Sequence, residues 1–208
     1  TARDTVKVRF KDNLDKFDID DLTILDEDDD EVGIGSVEVG LDDGKTLVTF
    51  TLTDKLDYKY GSAGIKKLYV HVIGEESENA YGAKILLGDV EEVADKIAPT
   101  VAENAYDKPD IVFENGAVDS YITIRFTEDL ATANDDLYAF DLIVRNEKGE
   151  QLDAGIAYTT QVIDGDKLEV TIAGKTNIAN YSIQSVDSIR YIKDVPGNKA
   201  AKFSRVRN

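Results

Sequence analysis

Tyr121-Ile-Thr-Ile-Arg-Phe-Thr-Glu-Asp-Leu130 is a stretch in which buried-type and exposed-type side chains alternate. Ile122, Ile124 and Phe126 occupy one face, and mostly polar side chains occupy the other, which is the period-two pattern of a half-buried β-strand. The stretch Val6-Lys-Val-Arg-Phe-Lys-Asp-Asn-Leu14 has the same pattern near the start of the chain. Both copies run directly into acidic residues, so one strand-and-loop unit occurs twice.

The segments that follow the two strands also correspond to each other. Residues 16–24 match residues 137–144, and the hairpin of residues 36–50 matches residues 160–172. These matches keep the same order in both halves of the chain. The simplest interpretation is a tandem duplication of one all-β module.

Two domains follow from this repeat, residues 1–96 and residues 97–208, and each is large enough to hold its own core. Short alternating runs are separated by turn residues such as Asp42-Asp-Gly44, and this spacing predicts an immunoglobulin-like β-sandwich for each domain. Little sequence precedes the first copy of the strand. We therefore expect the first strand of domain one to lie upstream, in a longer protein.

Three local predictions concern the edges of the modules. The closing strand of domain one is expected at residues 83–88, and residues 89–100 are expected to form a stiff linker that contains Pro99. Helix is expected only as one turn within residues 129–137.

The composition limits the classes of function. The chain has 208 residues, no cysteine, a formal net charge of −18 and a pI near 4.4. Nucleic acids and anionic lipids need a basic surface, so both are excluded as partners. No apolar run approaches the length of a membrane span, which argues against membrane insertion. Cations are the partners that this charge favours.

Three stretches resemble tandem bacterial immunoglobulin-like domains of Gram-positive surface-layer (S-layer) and cell-wall proteins. They are residues 122–130, the junction Asp95-Lys-Ile-Ala-Pro-Thr100 and the loop Ile192-Lys-Asp-Val-Pro-Gly-Asn-Lys199. Domain two is covered throughout. Domain one matches less closely, with Gly74-Glu-Glu-Ser-Glu-Asn79 in place of the Asp-x-x-Gly-Asn loop.

This resemblance implies a secreted, extracellular, non-catalytic structural protein of the cell surface or S-layer. Its implied partners are other copies of itself in a self-assembled surface lattice and the neighbouring domains of the full-length chain. Such families often bind calcium at domain junctions, so the resemblance also implies calcium as a ligand.

A junctional calcium site is the most specific prediction. In an immunoglobulin-like sandwich, the N-terminus, the loop after the second strand and the loop between the last two strands share one pole. Calcium takes six to eight oxygen ligands, which carboxylates, amides and backbone carbonyls supply. The ligands predicted at this pole are Asp95, Glu128, Asp129, Asp194 and Asn198. The alternative is that these are solvated loop acids, and that Asp194 and Asn198 only form a β-turn around Pro196-Gly197.

Two further acidic clusters are present in domain one. Residues 26–31 place acids at the first positions of an EF-hand loop, but Glu31 stands where glycine is needed and Val37 where a bidentate Glu is needed. We interpret that segment as a solvated hairpin loop. The second cluster could bind another ion or be solvated, and it comprises Asp12, Asp15, Asp18, Asp20 and Asp21.

Catalysis has little support in the sequence, and we expect no enzyme activity. His71 is the only histidine, and it alternates with valines in a strand without a nucleophile motif beside it. The alternative to a structural role is a carbohydrate- or protein-binding adhesin module. Four tyrosines could line a sugar-binding face or be ordinary strand residues with alternating neighbours, and they are Tyr58, Tyr60, Tyr69 and Tyr81.

Overall fold

The computed structural model describes residues 4–53 and 67–208, and they form two compact units. Unit 1 comprises the described residues up to Asp95, and unit 2 begins at Lys96. The strands of unit 1 are β1 (Thr5–Arg9), β2 (Leu14–Lys16), β3 (Leu22–Asp26), β4 (Ile34–Asp42), β5 (Lys45–Leu52), β6 (Leu68–Val72), β7 (Glu78–Asn79) and β8 (Val90–Glu92). Those of unit 2 are β9 (Ile111–Glu114), β10 (Ser120–Arg125), β11 (Leu142–Arg145), β12 (Tyr158–Ile163), β13 (Lys167–Ile172), β14 (Ser182–Ser185) and β15 (Val206–Arg207).

Unit 2 is an immunoglobulin-like sandwich of the four-plus-three type. One sheet has the order β12-β13-β10-β9 and the other has the order β11-β14-β15, with every pair antiparallel. Lettered along the chain from A to G, these sheets are the DEBA and CFG sheets of an immunoglobulin constant-type domain. The predicted fold class is confirmed by this topology.

The core of unit 2 follows from the alternation seen in the sequence. Ile122 and Ile124 of β10 stand opposite Val170 and Leu168 of β13, and all four are fully buried. Two faces of this kind pack against each other, because a strand with period-two alternation can bury only one of its faces.

The two larger sheets of unit 1 have the strand order of unit 2, but the described residues contain no counterpart of β9. These sheets are β1-β5-β4 and β3-β6-β8, which correspond to the BED and CFG strands of unit 2. The strands β2 and β7 form a further two-stranded sheet. Its buried side chains include Val6, Ile24, Val48, Phe50 and Val70. The chain is therefore two tandem immunoglobulin-like β-sandwiches.

The hairpin between β4 and β5 turns where the sequence predicts it. Asp42 pairs with Lys45, and both residues between them have positive φ, 51° at Asp43 and 74° at Gly44. Two central residues with positive φ form the turn whose twist matches that of the flanking strands.

Three local predictions are wrong. The closing strand of unit 1 is β8 (Val90–Glu92), which lies in the expected linker rather than at residues 83–88. Residues 79–83 form a turn instead, in which Asn79 Oδ1 accepts hydrogen bonds from Tyr81 N and Ala83 N, both at 3.0 Å. The helical turn of unit 2 is a 3₁₀ helix at Asp135–Asp141, later than residues 129–137. A second 3₁₀ turn at Ile19–Asp21 occupies the matching place in unit 1 and was not expected.

The longer 3₁₀ helix, Asp135–Asp141, covers the edge strand β12 of unit 2. Thr160 Oγ1 donates to Asp135 O at 2.6 Å, and Val162 N donates to Asp135 Oδ2 at 2.7 Å. Tyr158 OH donates to Leu142 O at 2.7 Å from the buried end of the same strand. These bonds fix the helix against the inner face of the sheet. Among the described residues, no helix is long and apolar enough to cross a membrane.

Candidate metal site

The loop of Asp194 is a tight turn that holds a buried carboxylate. Asp194 is 1% exposed, and its Oδ1 accepts hydrogen bonds from Gly197 N at 2.7 Å and Asn198 N at 2.6 Å. Its Oδ2 accepts from Asn198 Nδ2 at 2.9 Å. Gly197 has φ of +102°, which a residue with a Cβ adopts only with strain. The turn therefore orients Asp194 through three donors and leaves lone-pair capacity on Oδ2.

Glu128 is the second buried acid. It continues the alternation of β10 beyond the end of the strand, and Phe126, Glu128 and Leu130 are all at most 2% exposed. A charged side chain on the inner side of a sandwich must be compensated by hydrogen bonds or by an opposite charge, because desolvation disfavours its ionised form.

The structure brings Glu128 and Asp194 together with Asp95. One carboxylate oxygen from each of the three lies within 4.8 Å of the other two. Asp95 is half-buried and immediately precedes Lys96, where unit 2 begins along the chain. Three ionised carboxylates at this separation repel one another by about 3 kcal/mol per pair at an effective dielectric constant of about 20.

The group fits a hard cation. Two oxygens that bind one calcium ion at about 2.4 Å each can lie no more than about 5 Å apart, and all three oxygens satisfy this limit. The donor set contains only oxygen, which favours calcium, magnesium or manganese over metals that prefer nitrogen or sulfur. This buried acidic group could hold a metal ion.

The other two predicted ligands take different places. Asn198 is half-buried and donates to Asp194, so it braces a member of the group. Asp129 lies outside the group of three and lines a surface pocket of about 690 Å³ with Leu130, Asp164 and Val195. Of the five residues predicted, the structure brings three within reach of one ion.

The acidic clusters of unit 1 are arranged as turns and caps. Within residues 4–53 and 67–208, the group of Asp95, Glu128 and Asp194 is the sole set of three or more such side chains within reach of one ion. Asp26 Oδ1 accepts from Asp28 N and Asp30 N, which closes the hairpin loop of residues 26–31.

Asp21 is a structural member of the acidic cluster of unit 1. It is 2% exposed and accepts hydrogen bonds from Glu76 N at 3.0 Å and Ser77 N at 2.5 Å. Burial raises the pKa of this carboxyl, but these hydrogen bonds and the Ser77 hydroxyl outweigh burial and lower the pKa below its ordinary value.

The matching residue of unit 2 is Asp141, which was not singled out from the sequence. Asp141 is 1% exposed and accepts hydrogen bonds from Arg190 N, Tyr191 N and Ile192 N at 2.6–3.1 Å. It anchors the start of the segment that ends at Asp194. The signal was present, because Asp21 and Asp141 occupy the same position before a repeated strand.

Unit 1 has a loop that corresponds to the loop of Asp194, and it carries the neutral residue Asn79 at the position of Asp194. The bridge between Glu78 and Lys84 matches the bridge between Lys193 and Lys199, which aligns Asn79 with Asp194 and Ala83 with Asn198. Residues 79–83, rather than residues 74–79, are therefore the counterpart of the Asp-x-x-Gly-Asn loop. Asn79 keeps the turn with an amide oxygen, so the turn itself does not require a carboxylate.

The residues considered for other functions are dispersed. His71 lies in β6 opposite Thr23 and Val90. Tyr69 lies in β6 and is half-buried, whereas Tyr81 is almost fully exposed in the turn after β7. Tyr58 and Tyr60 lie outside the described residues.

Comparison with known proteins finds a family model that matches the first domain. Residues 1–96 match the family model of outer cell wall protein domain 7. Residues 1–96 therefore resemble a domain of outer cell wall proteins, and the protein is located at the cell surface. The resemblance to cell-wall proteins is thereby confirmed. The match lies in domain one, although the short motifs that suggested the resemblance fit domain two better.

Solved structures with some similarity include the N-terminal part of the bacterial S-layer protein SbsC, at 17% identity and a TM-score of 0.37, with 100% of this chain and 41% of that chain covered. A pullulanase from Anoxybacillus sp. LM18-11 follows at 10% identity and a TM-score of 0.32, with 88% and 23% covered. Titin domains z1z2, solved in complex with telethonin, give 10% identity and a TM-score of 0.24, with 90% and 83% covered. The chain thus spans less than half of the first two structures. No curated protein matches the chain.

Proposed function

We propose that this chain is a structural, non-catalytic building block of a self-assembling cell-surface layer, and that its second domain is stabilised by calcium. The observation that carries the proposal is the group of Asp95, Glu128 and Asp194, two of them buried, within reach of one ion. The cell-wall family of residues 1–96 supports a structural role at the surface.

Calcium would act by replacing repulsion with coordination. The three carboxylates supply anionic oxygens on one side, and the backbone carbonyls and water complete the six to eight ligands that calcium takes. The residues proposed to hold the ion are Asp95, Glu128 and Asp194, with Asn198 orienting Asp194 and Asp129 close by in sequence. Since the ion binds the folded state alone, its binding free energy adds to the free energy of unfolding.

Thermal melts in chelator, in millimolar magnesium and in millimolar calcium test this proposal. At a free concentration of 100 times its Kd, a ligand stabilises the folded state by about 2.7 kcal/mol. For a domain of this size, the corresponding rise in Tm is about 10 °C. We expect this rise in calcium and a smaller one in magnesium, which gives up its water ligands reluctantly.

Isosteric variants separate coordination from packing. Glu128→Gln removes one repelling charge, so its Tm in chelator should exceed that of the wild type while its calcium-dependent rise is lost. Asp194→Asn should reduce the rise and leave the turn intact, because Asn79 forms the same turn in unit 1. Asp187→Asn, an exposed acid of unit 2, is the matched control and should respond like the wild type.

Sodium chloride at equal ionic strength measures the nonspecific screening of a chain with a net charge of −18. Equal melts in all three solutions would contradict calcium stabilisation. A rise that survives Glu128→Gln would show that calcium acts elsewhere. Failure of the full chain to self-associate at any concentration in calcium would contradict the building-block role.

A further inference from the structure

The strand β4 forms an edge of the sheet of unit 1 and leaves apolar side chains uncovered on its inner face. Val39 stands opposite Val48, and Leu41 stands opposite Thr46, on the side of the sheet that holds the core. Val48 and Thr46 are buried, but Val39 is 55% exposed and Leu41 is 65% exposed. The inner face of β4 therefore extends beyond the core of its own domain.

The free backbone groups of β4 can be assigned from its neighbour β5. Thr46 N donates to Asp12 O, and Thr46 O accepts from Phe10 N, so the peptide groups of Thr46 point toward β1. In an antiparallel pair, a residue opposite such a position directs its own N–H and C=O groups away from the partner strand. Every second residue of β4 therefore has outward-pointing backbone groups. The N–H and C=O groups of Val37, Val39 and Leu41 thus point outward, and none has a hydrogen-bond partner among the described residues.

The equivalent strand of unit 2 is protected, which shows that the exposure of β4 is specific to unit 1. On β12, the 3₁₀ helix Asp135–Asp141 covers the inner face, and Asp135 Oδ2 accepts from the outward N–H of Val162. The matching 3₁₀ turn of unit 1 has only three residues, Ile19–Asp21. A long, apolar edge without cover is a template for pairing with another strand.

The sequence of β4 is complementary to itself in one antiparallel register. With Val39 opposite Val39 of a second copy, Val37 stands opposite Leu41, and all outward-pointing backbone groups meet in hydrogen-bonded pairs. Glu38 then stands opposite Gly40, so no like charges face each other. The two neighbouring registers that keep the outward-pointing residues paired set Val39 opposite Val37 or opposite Leu41. They place Glu38 opposite Glu38 or opposite Asp42, and repulsion between these like charges disfavours both.

We propose that β4 pairs with β4 of a second copy of this chain around a two-fold axis at Val39. This pairing joins two β1-β5-β4 sheets into one continuous six-stranded sheet and brings Val39 and Leu41 of both copies into cross-strand contact. It is an isologous contact, in which the same patch of each copy supplies both halves. The inference rests on the proposed role as a self-assembling building block and names the surface that such assembly uses.

Single-cysteine variants of the full chain test both the contact and its register. The chain has no cysteine of its own, so each variant carries a single thiol. In Val39→Cys, the two Cα atoms across the axis lie about 5.5 Å apart, which suits a disulfide. In Leu41→Cys, the two Cα atoms are offset by four residues on neighbouring strands and lie roughly 14 Å apart, beyond disulfide reach. Both positions are exposed, so the two variants are matched in access to the oxidant.

Mild oxidation in calcium and in chelator, followed by non-reducing electrophoresis, gives the readout. We expect Val39→Cys to form a covalent dimer at least about tenfold faster than Leu41→Cys. Val39→Lys should sediment as a monomer at concentrations where the wild type forms dimers, with an unchanged Tm, because the lysine is solvated in the single copy.

Equal cross-linking of the two cysteine variants would overturn the proposed register, and absence of cross-linking in both would overturn the contact. If the wild type still self-associates in calcium when neither variant cross-links, the building-block role stands and another surface mediates it. If the wild type stays monomeric throughout, the building-block role fails together with the β4 contact.

Discussion

Buried carboxylates take two different roles in this chain, and their neighbours decide which. Asp141 is surrounded by three backbone N–H groups, so its charge is compensated within the fold. Glu128 and Asp194 instead lie beside another carboxylate, Asp95. The first arrangement anchors a loop, and the second is suited to a cation.

The anchoring role of Asp141 predicts a large loss of stability on truncation. Asp141→Ala leaves the N–H groups of Arg190, Tyr191 and Ile192 without their acceptor, and the free energy of unfolding should fall by about 3 kcal/mol or more. Urea unfolding measures this fall. Asp187→Ala, an exposed acid of the segment before Arg190, should change the free energy by less than about 0.5 kcal/mol. An equally small effect for Asp141→Ala would contradict the anchoring role.

Tyr158 predicts a dependence on alkaline pH. Burial raises the pKa of its hydroxyl from 10.0 to about 12. Because the folded pKa is the higher one, the stabilisation is complete below pH 10 and is lost as pH rises from 10 to about 12. The free energy of unfolding of the wild type should therefore fall more steeply over this range than that of Tyr158→Phe. Denaturant unfolding at each pH tests this, and parallel curves would refute it.

At the scale of the element, turns and edges carry the information that distinguishes the two domains. The β4–β5 hairpin is closed by a two-residue turn with positive φ at both residues, whereas the β12–β13 hairpin has three residues, Asp164, Gly165 and Asp166, in its turn. Both hairpins keep the same faces buried. The edge strands differ because the segment that covers β12 is longer than its counterpart in unit 1.

The hairpin turn provides an element-scale prediction. Gly44→Ala places a Cβ on a residue with φ of +74° in open space, so it should lower the free energy of unfolding by about 1 kcal/mol through backbone strain alone. Gly40→Ala is the matched control, because that glycine of β4 also faces open space but lacks a positive φ. Calorimetry measures the free energy of unfolding of both variants. An equal decrease in the two would show that backbone strain at residue 44 is not the cause.

For the whole molecule, the net charge of −18 opposes both folding and association. Repulsion between copies acts over about a Debye length, roughly 8 Å at physiological ionic strength. This repulsion weakens least the contacts that bury apolar surface and pair backbone groups, because their strength does not depend on attraction between charges. The proposed β4 contact is of this kind. A bound divalent cation would also reduce the charge that each copy carries.

Local pattern explains how much of the fold was predictable. The alternation of Ile122, Ile124 and Phe126 identifies β10, and the copy at Val6 and Val8 identifies the duplication. The β8 strand was missed because Val90-Glu-Glu92 has no alternation to reveal it, and it is a strand only through pairing with β6. The candidate site was partly predictable, since loops at one pole of a sandwich must lie close together.

The sequence by itself determined the tandem all-β modules, the turns and the acidic residues of the candidate metal site, because periodicity and turn chemistry are local properties of the chain. Tertiary structure alone decided which acids are anchored by backbone N–H groups and which face one another, since that depends on residues about 50 positions apart, as Asp141 and Tyr191 are. It also decided that β4 is open while β12 is covered. The alternating pattern states which face a strand can bury, but the packing of distant segments determines whether anything covers it.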